Sequence, residues 1–196
     1  QDVFNDALHQ LDAVLKTLPD SPKALHANDK PIDALKERDI LMFVKKALRD
    51  NQIAIAVQPI KSLPGQQTHF YEVYARIRVG QQHIPAGKFL AIAKSHGLMT
   101  LIDRAFLLRS LQLIQQTATD DAFAPYFCNL APASLADKAF LAAIIKYLET
   151  QPHLSARLVF EFSQEDTFQL SADTRATLRR LVELGCRFSM DNVKMM

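Results

Sequence analysis

Long hydrophobic runs are missing from this chain. No apolar stretch approaches the roughly 20 residues needed to span a bilayer and no signal-peptide pattern opens the sequence, so no membrane segment is expected. Cysteine is scarce: Cys128 and Cys186 are the only two. Each lies in or beside an apolar strand candidate, which argues against a disulfide framework and for buried thiols in a reducing, cytoplasmic setting. A dominant charge is also lacking. The net charge of +2 gives no compositional ground for binding a nucleic acid polymer or an anionic membrane, although a local arginine cluster would still suit phosphates. The six histidines have no metal-like spacing, and His69, His83 and His96 read as surface residues. Neither an internal repeat nor a low-complexity segment interrupts the chain. An initiator Met is absent too, and the sequence is expected to be an excised piece.

What is present suffices for one sizeable core: 196 residues, 48% of them hydrophobic, point to one main domain. Phe4, Leu8, Leu11, Leu15 and Leu18 form an a/d seam, so the first 20 residues read as a helix that either docks on its own domain or pairs as a dimeric coiled coil. Pro19, Pro22 and Pro31 mark 19–32 as a turn-rich linker, dividing the chain at 1–32 and 33–196. An amphipathic helix follows over 34–50, with Ile40, Leu41, Val44, Ala47 and Leu48 inward and its basic residues solvated. Ile53 to Ile60 reads as a strand, and the Leu63-Pro64-Gly65 turn would join it as a hairpin to the strand Phe70 to Val79. Further helices are predicted over 86–96 with Gly97 at its end, 101–117 and 132–149. The last predicted helix is capped by Ser171 or Asp173 and ends at Gly185.

The strand Phe70 to Val79 carries charges in an apolar setting. Alternation puts Glu72, Tyr74, Arg76 and Arg78 on one face and Tyr71, Val73, Ala75, Ile77 and Val79 on the other. Three later apolar runs each stop at a carboxylate or amide: 126–128 at Asn129, 158–160 at Glu161, and 188–190 at Asp191. With helical patterns between them, the order is strand, helix, strand, helix, the signature of a parallel sheet in an α/β fold. Ligands of such folds sit at the carboxyl ends of the strands. Glu72, Asn129, Glu161 and Asp191 would then meet at one mouth as three carboxylates and an amide, hard donors suited to Mg²⁺, Mn²⁺ or Ca²⁺. Blander readings stay open. Arg76 could pair with Glu72, Asn129 could cap a turn, and Glu161 and Asp191 could be carboxylates favoured at helix N-termini.

These residues resemble the EAL domain, the bacterial cyclic di-GMP phosphodiesterase fold, a (β/α)8-type barrel. Its Glu-Ala-Leu signature, usually continued by Leu-Arg, is matched by Glu72-Val73-Tyr74-Ala75-Arg76. Gln58-Pro59-Ile60 resembles the family's Gln-Pro-Ile, and Pro85-Ala86 with Phe89 its Pro-x-x-x-Phe helix start. Asn129-Leu130 resembles its Val-Asn-Leu-Ser, and Glu161-Phe162-Ser163-Gln164 its Glu-x-Thr-Glu. Asp191-Asn192-Val193-Lys194 stands where the family has Asp-Asp-Phe-Gly. Only five strand candidates can be counted, so an incomplete barrel preceded by an N-terminal helix is expected.

The resemblance implies cyclic di-GMP as ligand, contacts to it from Gln58 and Arg76, and a first divalent metal, Mg²⁺ or Mn²⁺ with Ca²⁺ as an alternative, held by Glu72, Asn129, Glu161 and Asp191. The family's second metal-binding Asp is matched by Asn192, and the second Glu of Glu-x-Thr-Glu by Gln164, each an amide without charge. The expectation is therefore a degenerate EAL domain serving bacterial signalling as a cyclic di-GMP receptor or scaffold, with a homodimer and a protein partner as its implied associations. Two alternatives stand beside it: an active metal-dependent phosphodiesterase, and an interaction module that binds no nucleotide. A subgroup with similarly altered signatures serves flagellar or polarity functions.

Overall fold

The computed structural model describes residues 31–61, 69–117, 124–167 and 170–193. The expected heptad helix, nearly all of the linker and the Leu63-Pro64-Gly65 turn lie outside the described residues. After a 3-10 turn at Ile32–Ala34, the elements in chain order are α1 (Glu37–Arg49), which begins later than the expected 34, β1 (Ile53–Ile60), β2 (Phe70–Val79), β3 (Gln82–Pro85), α2 (Ala86–Ser95) and α3 (Met99–Gln116). They continue with β4 (Tyr126–Asn129), α4 (Pro132–Leu135), α5 (Lys138–Glu149), α6 (Pro152–Ser155), β5 (Leu158–Ser163), α7 (Gln164–Thr167), α8 (Ala172–Glu183) and β6 (Arg187–Asp191). The strands are hydrogen-bonded in the order β1-β2-β4-β5-β6, with β3 also on β2. This is the α/β arrangement expected. By contacts the chain divides into two compact units, one of Gln1–Ala56 with Tyr74–Arg109 and one of Val57–Val73 with Ser110–Met196.

In the first unit, α1 buries Ile40, Val44, Ala47 and Leu48 and packs on α2, whose Phe89 and Ala93 are buried. Leu41, Leu90 and Ile92, expected inside, are only half-buried. Lys36, Arg38 and Lys46 are exposed, as a solvated face requires, whereas Lys45 and Arg49 are half-buried. After α1 the backbone turns through Asn51 at φ 49°, a left-handed conformation that Asn tolerates better than most residues, and Arg109 donates to the Asn51 carbonyl at 2.6 Å. The second half of β2 pairs antiparallel with β3, Arg76 opposite Pro85 and Val79 opposite Gln82. Gly80, at φ 59°, makes that tight reversal. The strand β3 is absent from the sequence expectation, which counted five. Its one aliphatic residue besides Pro85 is Ile84, so no alternation announces it.

In the second unit the pairings of β2 with β4, β4 with β5 and β5 with β6 are parallel. Tyr71 to Val73 of β2 lie beside Tyr126 to Cys128 of β4, β4 lies beside Leu158 to Glu161 of β5, and β5 beside β6. Two expectations need correction. The strand β5 does not stop at Glu161; it runs to Ser163 because Phe162 buries its ring against Phe188, 5.8 Å away. The helix expected over 132–149 is two helices, because Asp137 breaks it and accepts from the Phe140 amide at 3.0 Å as the N-cap of α5. Ser171 caps α8 in the same way, accepting from Thr174. Helix α5 buries Phe140, Leu141, Ile144, Tyr147 and Leu148 and packs against α8, where Leu181 is buried. Both cysteines are free and buried, as expected. Burial pushes their thiols up to about 12, with hydrogen bonds to Ser110 and Ser155 opposing it, so neither is a thiolate at neutral pH.

A buried arginine organises the start of the parallel ladder. Arg157, 2% exposed, donates from Nη1 to the Ile114 carbonyl at 2.7 Å and from Nε to the Ala124 carbonyl at 3.3 Å. Its guanidinium lies over the Tyr126 ring, 5.2 Å from the centroid, and its own carbonyl accepts from the Tyr126 amide at 2.7 Å. Arg180, by contrast, pairs with Glu149 and Glu183 at the surface. Arg157→Leu is therefore expected to lose about 3 kcal/mol in urea denaturation, since interior carbonyls lose their donors, whereas Arg180→Ala leaves the midpoint nearly unchanged. Equal effects would show that the buried arginine is not what ties these elements together.

Candidate functional site

Residues paired across a parallel ladder share a face, and each step of two along a strand returns to that face. Glu72 pairs with Phe127, Phe127 with Val159, Asn129 with Glu161, Glu161 with Ser189, and Ser163 with Asp191. Counting in twos, Glu72, Asn129, Glu161, Ser189 and Asp191 all lie on one face of the sheet. Asn129 and Glu161 occupy the same row, Glu72 lies one same-face step before it, and Asp191 one step after it. The four expected residues thus lie on a diagonal of that face. Each step spans about 6.6 Å along the strand.

Glu72 differs from the expected strand-end position, being the third residue of the ten-residue β2. It nevertheless stands near the end of the parallel ladder, because β4 pairs with β2 only as far as Val73, and β2 continues into its hairpin with β3. Asn129 and Asp191 do end their strands. Glu161 lies inside β5 and so is not a helix N-terminal carboxylate. Gln58 is exposed on β1. Arg76 is half-buried on β2, donates from Nη1 to the Ala75 carbonyl at 3.0 Å, and rests over the Tyr74 ring.

Electrostatics single out Glu161. Burial raises its carboxyl above the ordinary value, and the charges of Glu72 and Asp191 raise it further, while hydrogen bonds with Ser189 and Asn129 lower it. The Ser189 hydroxyl donates to Glu161 Oε1 at 3.1 Å. Ser189 was absent from the sequence expectation, although it lies two residues before Asp191 and the alternation marks it. Asp191 Oδ1 is buried with no hydrogen-bond partner, and Oδ2 accepts from the Asn192 amide at 3.0 Å. Asn192 itself sits at φ 48°.

An unpartnered buried carboxylate oxygen and a glutamate destabilised by two like charges are what a hard cation would relieve, so the donor types fit a divalent metal. Their spacing is another matter. Among the described residues no group of three or more His, Cys, Asp or Glu stands close enough to hold one. Among the same residues no helix is long and apolar enough to cross a membrane.

A family model described as the EAL domain matches residues 43–195. The cyclic di-GMP phosphodiesterase PdeF of Escherichia coli (strain K12) is 25% identical over 160 residues, covering 81% of this chain and 21% of PdeF. The cyclic di-GMP phosphodiesterase NbdA of Pseudomonas aeruginosa (strain PAO1) is 28% identical over 169 residues, covering 82% and 21%. The chain thus spans about a fifth of the length of these relatives. The crystal structure of the FimX EAL domain from Pseudomonas aeruginosa bound to cyclic di-GMP superimposes with a TM-score of 0.64 at 26% identity, covering 81% of this chain and 64% of that one.

The raised Glu161 carboxyl predicts a pH dependence in metal-free protein. The folded chain holds that proton more tightly than the unfolded one, so this contribution to stability is full below the ordinary 4.5 and is lost as pH rises through the raised folded value. Glu161→Gln is expected to raise the thermal midpoint at pH 7 and to flatten its fall above pH 4.5. A lower midpoint at pH 7 would mean that the carboxylate is compensated by neighbours other than those named.

Proposed function

Because this chain belongs to the EAL domain family, we propose that it captures cyclic di-GMP as a receptor or scaffold in bacterial signalling and does not hydrolyse it. Asn192 carries this reading. It stands where the family has its second metal-binding Asp, and its amide donates to Asp191 Oδ2. An amide brings no charge to a second metal, and this one already occupies an oxygen of the first set. EAL phosphodiesterases generally use divalent metals. Glu72, Asn129, Glu161 and Asp191 supply the donor types for the first one, Mg²⁺ or Mn²⁺ with Ca²⁺ as the alternative, and would have to draw together to hold it. Bound there, such a cation would neutralise the carboxylates and draw phosphoryl oxygens towards the sheet face. This chain's own residues do the rest of the binding: Arg76 pairs with a phosphate and Gln58 contacts the nucleotide, while Ser189 orients Glu161.

Residues 1–32 would act as a helical stalk and linker ahead of an EAL-like domain over 33–196, in a cytoplasmic homodimer whose ligand state a partner protein reads, in a flagellar or polarity setting among others. The second reading is an active phosphodiesterase. Its specific support is that all four first-metal donor types are present and share one face. The two relatives above are also phosphodiesterases by name.

Calorimetric titration of cyclic di-GMP into the full-length protein with Mg²⁺, followed by chromatography of the nucleotide, separates these readings. Saturable binding with intact ligand is expected; the linear dinucleotide as product would make the protein an enzyme, and no heat an interaction module. Arg76→Ala is expected to weaken binding about 10- to 100-fold, the loss of one charge-assisted hydrogen-bonded pair. Unchanged affinity would remove Arg76 from the site. Asn192→Asp tests the lost second ligand: hydrolysis appearing in that variant alone would place the defect at Asn192, and continued inactivity would place it elsewhere as well.

A further inference from the structure

We propose that Tyr74 is a positioning residue that holds the guanidinium of Arg76 over its ring, ready for a phosphodiester anion. The inference rests on the reading of Arg76 as a phosphate contact. Tyr74 and Arg76 are two residues apart on β2, so they project from the same face. The central guanidinium carbon of Arg76 lies 5.5 Å from the Tyr74 ring centroid, inside the roughly 6 Å at which a cation is attracted by an aromatic face. Nη1 also donates to the Ala75 carbonyl at 3.0 Å. Ring and carbonyl together restrict the freedom of the fork. A guanidinium has five N–H donors, and the Ala75 contact uses one of them.

Such a hold matters because arginine is long and rich in rotamers. A free one must lose that freedom when it grips a phosphate, whereas a held one has already lost it, so more of the contact is realised as affinity. Both side chains are half-buried, which weakens competition from water without removing the cation from reach. The EAL signature has leucine at this position. Leucine can pack against a guanidinium but has no ring quadrupole to orient it, so Tyr74 is a feature of this chain and not of the motif.

The test compares Tyr74→Leu and Tyr74→Phe in the full-length protein, with two readouts. The first is cyclic di-GMP affinity by calorimetry. Tyr74→Leu should weaken it about fivefold, and Tyr74→Phe, which keeps the ring, should restore it to the unsubstituted level. The second needs no ligand: the Arg76 Nε–H resonance in an NMR spectrum should carry a ring-current shift in the unsubstituted and Phe proteins and lose it in the Leu variant. If Tyr74→Leu fails to fold, Tyr74→Met takes its place. Full affinity in the Leu variant, equal losses in Leu and Phe, or a resonance that does not move would each overturn the proposal. Should the unsubstituted protein not bind cyclic di-GMP, the receptor reading falls, and the resonance alone decides whether Tyr74 holds Arg76.

Discussion

Register in the parallel ladder is the constraint on which the site depends. Because side chains alternate with a period of two, a slip of one residue between β4 and β5 would send Glu161 to the apolar face and Phe160 to the polar one. Burial opposes that slip. Tyr126, Cys128, Leu158 and Phe160 are nearly inaccessible on one face, and the rings of Phe160 and Phe162 close on Phe188. The core therefore holds the polar face in place without touching it. Arg157 acts at the base of the same ladder, where its donors meet carbonyls at the end of α3 and before β4.

The polar face is not at an electrostatic minimum by itself. Glu161 is raised by burial and by two neighbouring carboxylates, and Asp191 Oδ1 has no partner. Carboxylates that oppose one another in a partly buried setting are groups whose energy a bound cation would lower. Asn192 relieves part of the tension locally by donating to Asp191. That amide carries no charge, and the proposed receptor reading rests on it.

Much of this was legible in the residues, and the misses have physical causes. Amphipathic stripes such as Ile40, Val44, Ala47 and Leu48 announce α1 through their 3.6-residue period. The runs ending at Asn129 and Asp191 announce their strands by apolar character and length. The strand β3 has too few apolar residues for any period to show, and it forms because Gly80 turns β2 back upon itself. The break at Asp137 hides in a helical pattern, since only the competition between a cap hydrogen bond and helix continuation decides it. Ser189 and Tyr74 were visible as residues of the polar face but not as partners, because a hydroxyl or a ring carries no signature until its neighbour is known.

Sequence by itself determined the α/β class, the apolar and polar faces of β2, and the identity of the four candidate donors through residue type and local periodicity, and the family through the resemblance of its motifs. Tertiary structure alone decided how the donors stand to one another. Pairing across strands distant in the chain staggers Glu72, Glu161 and Asp191 along a diagonal of one face of the sheet. It also seats Ser189 on Glu161. Registers of this kind come from the packing of the opposite face, which no local pattern encodes.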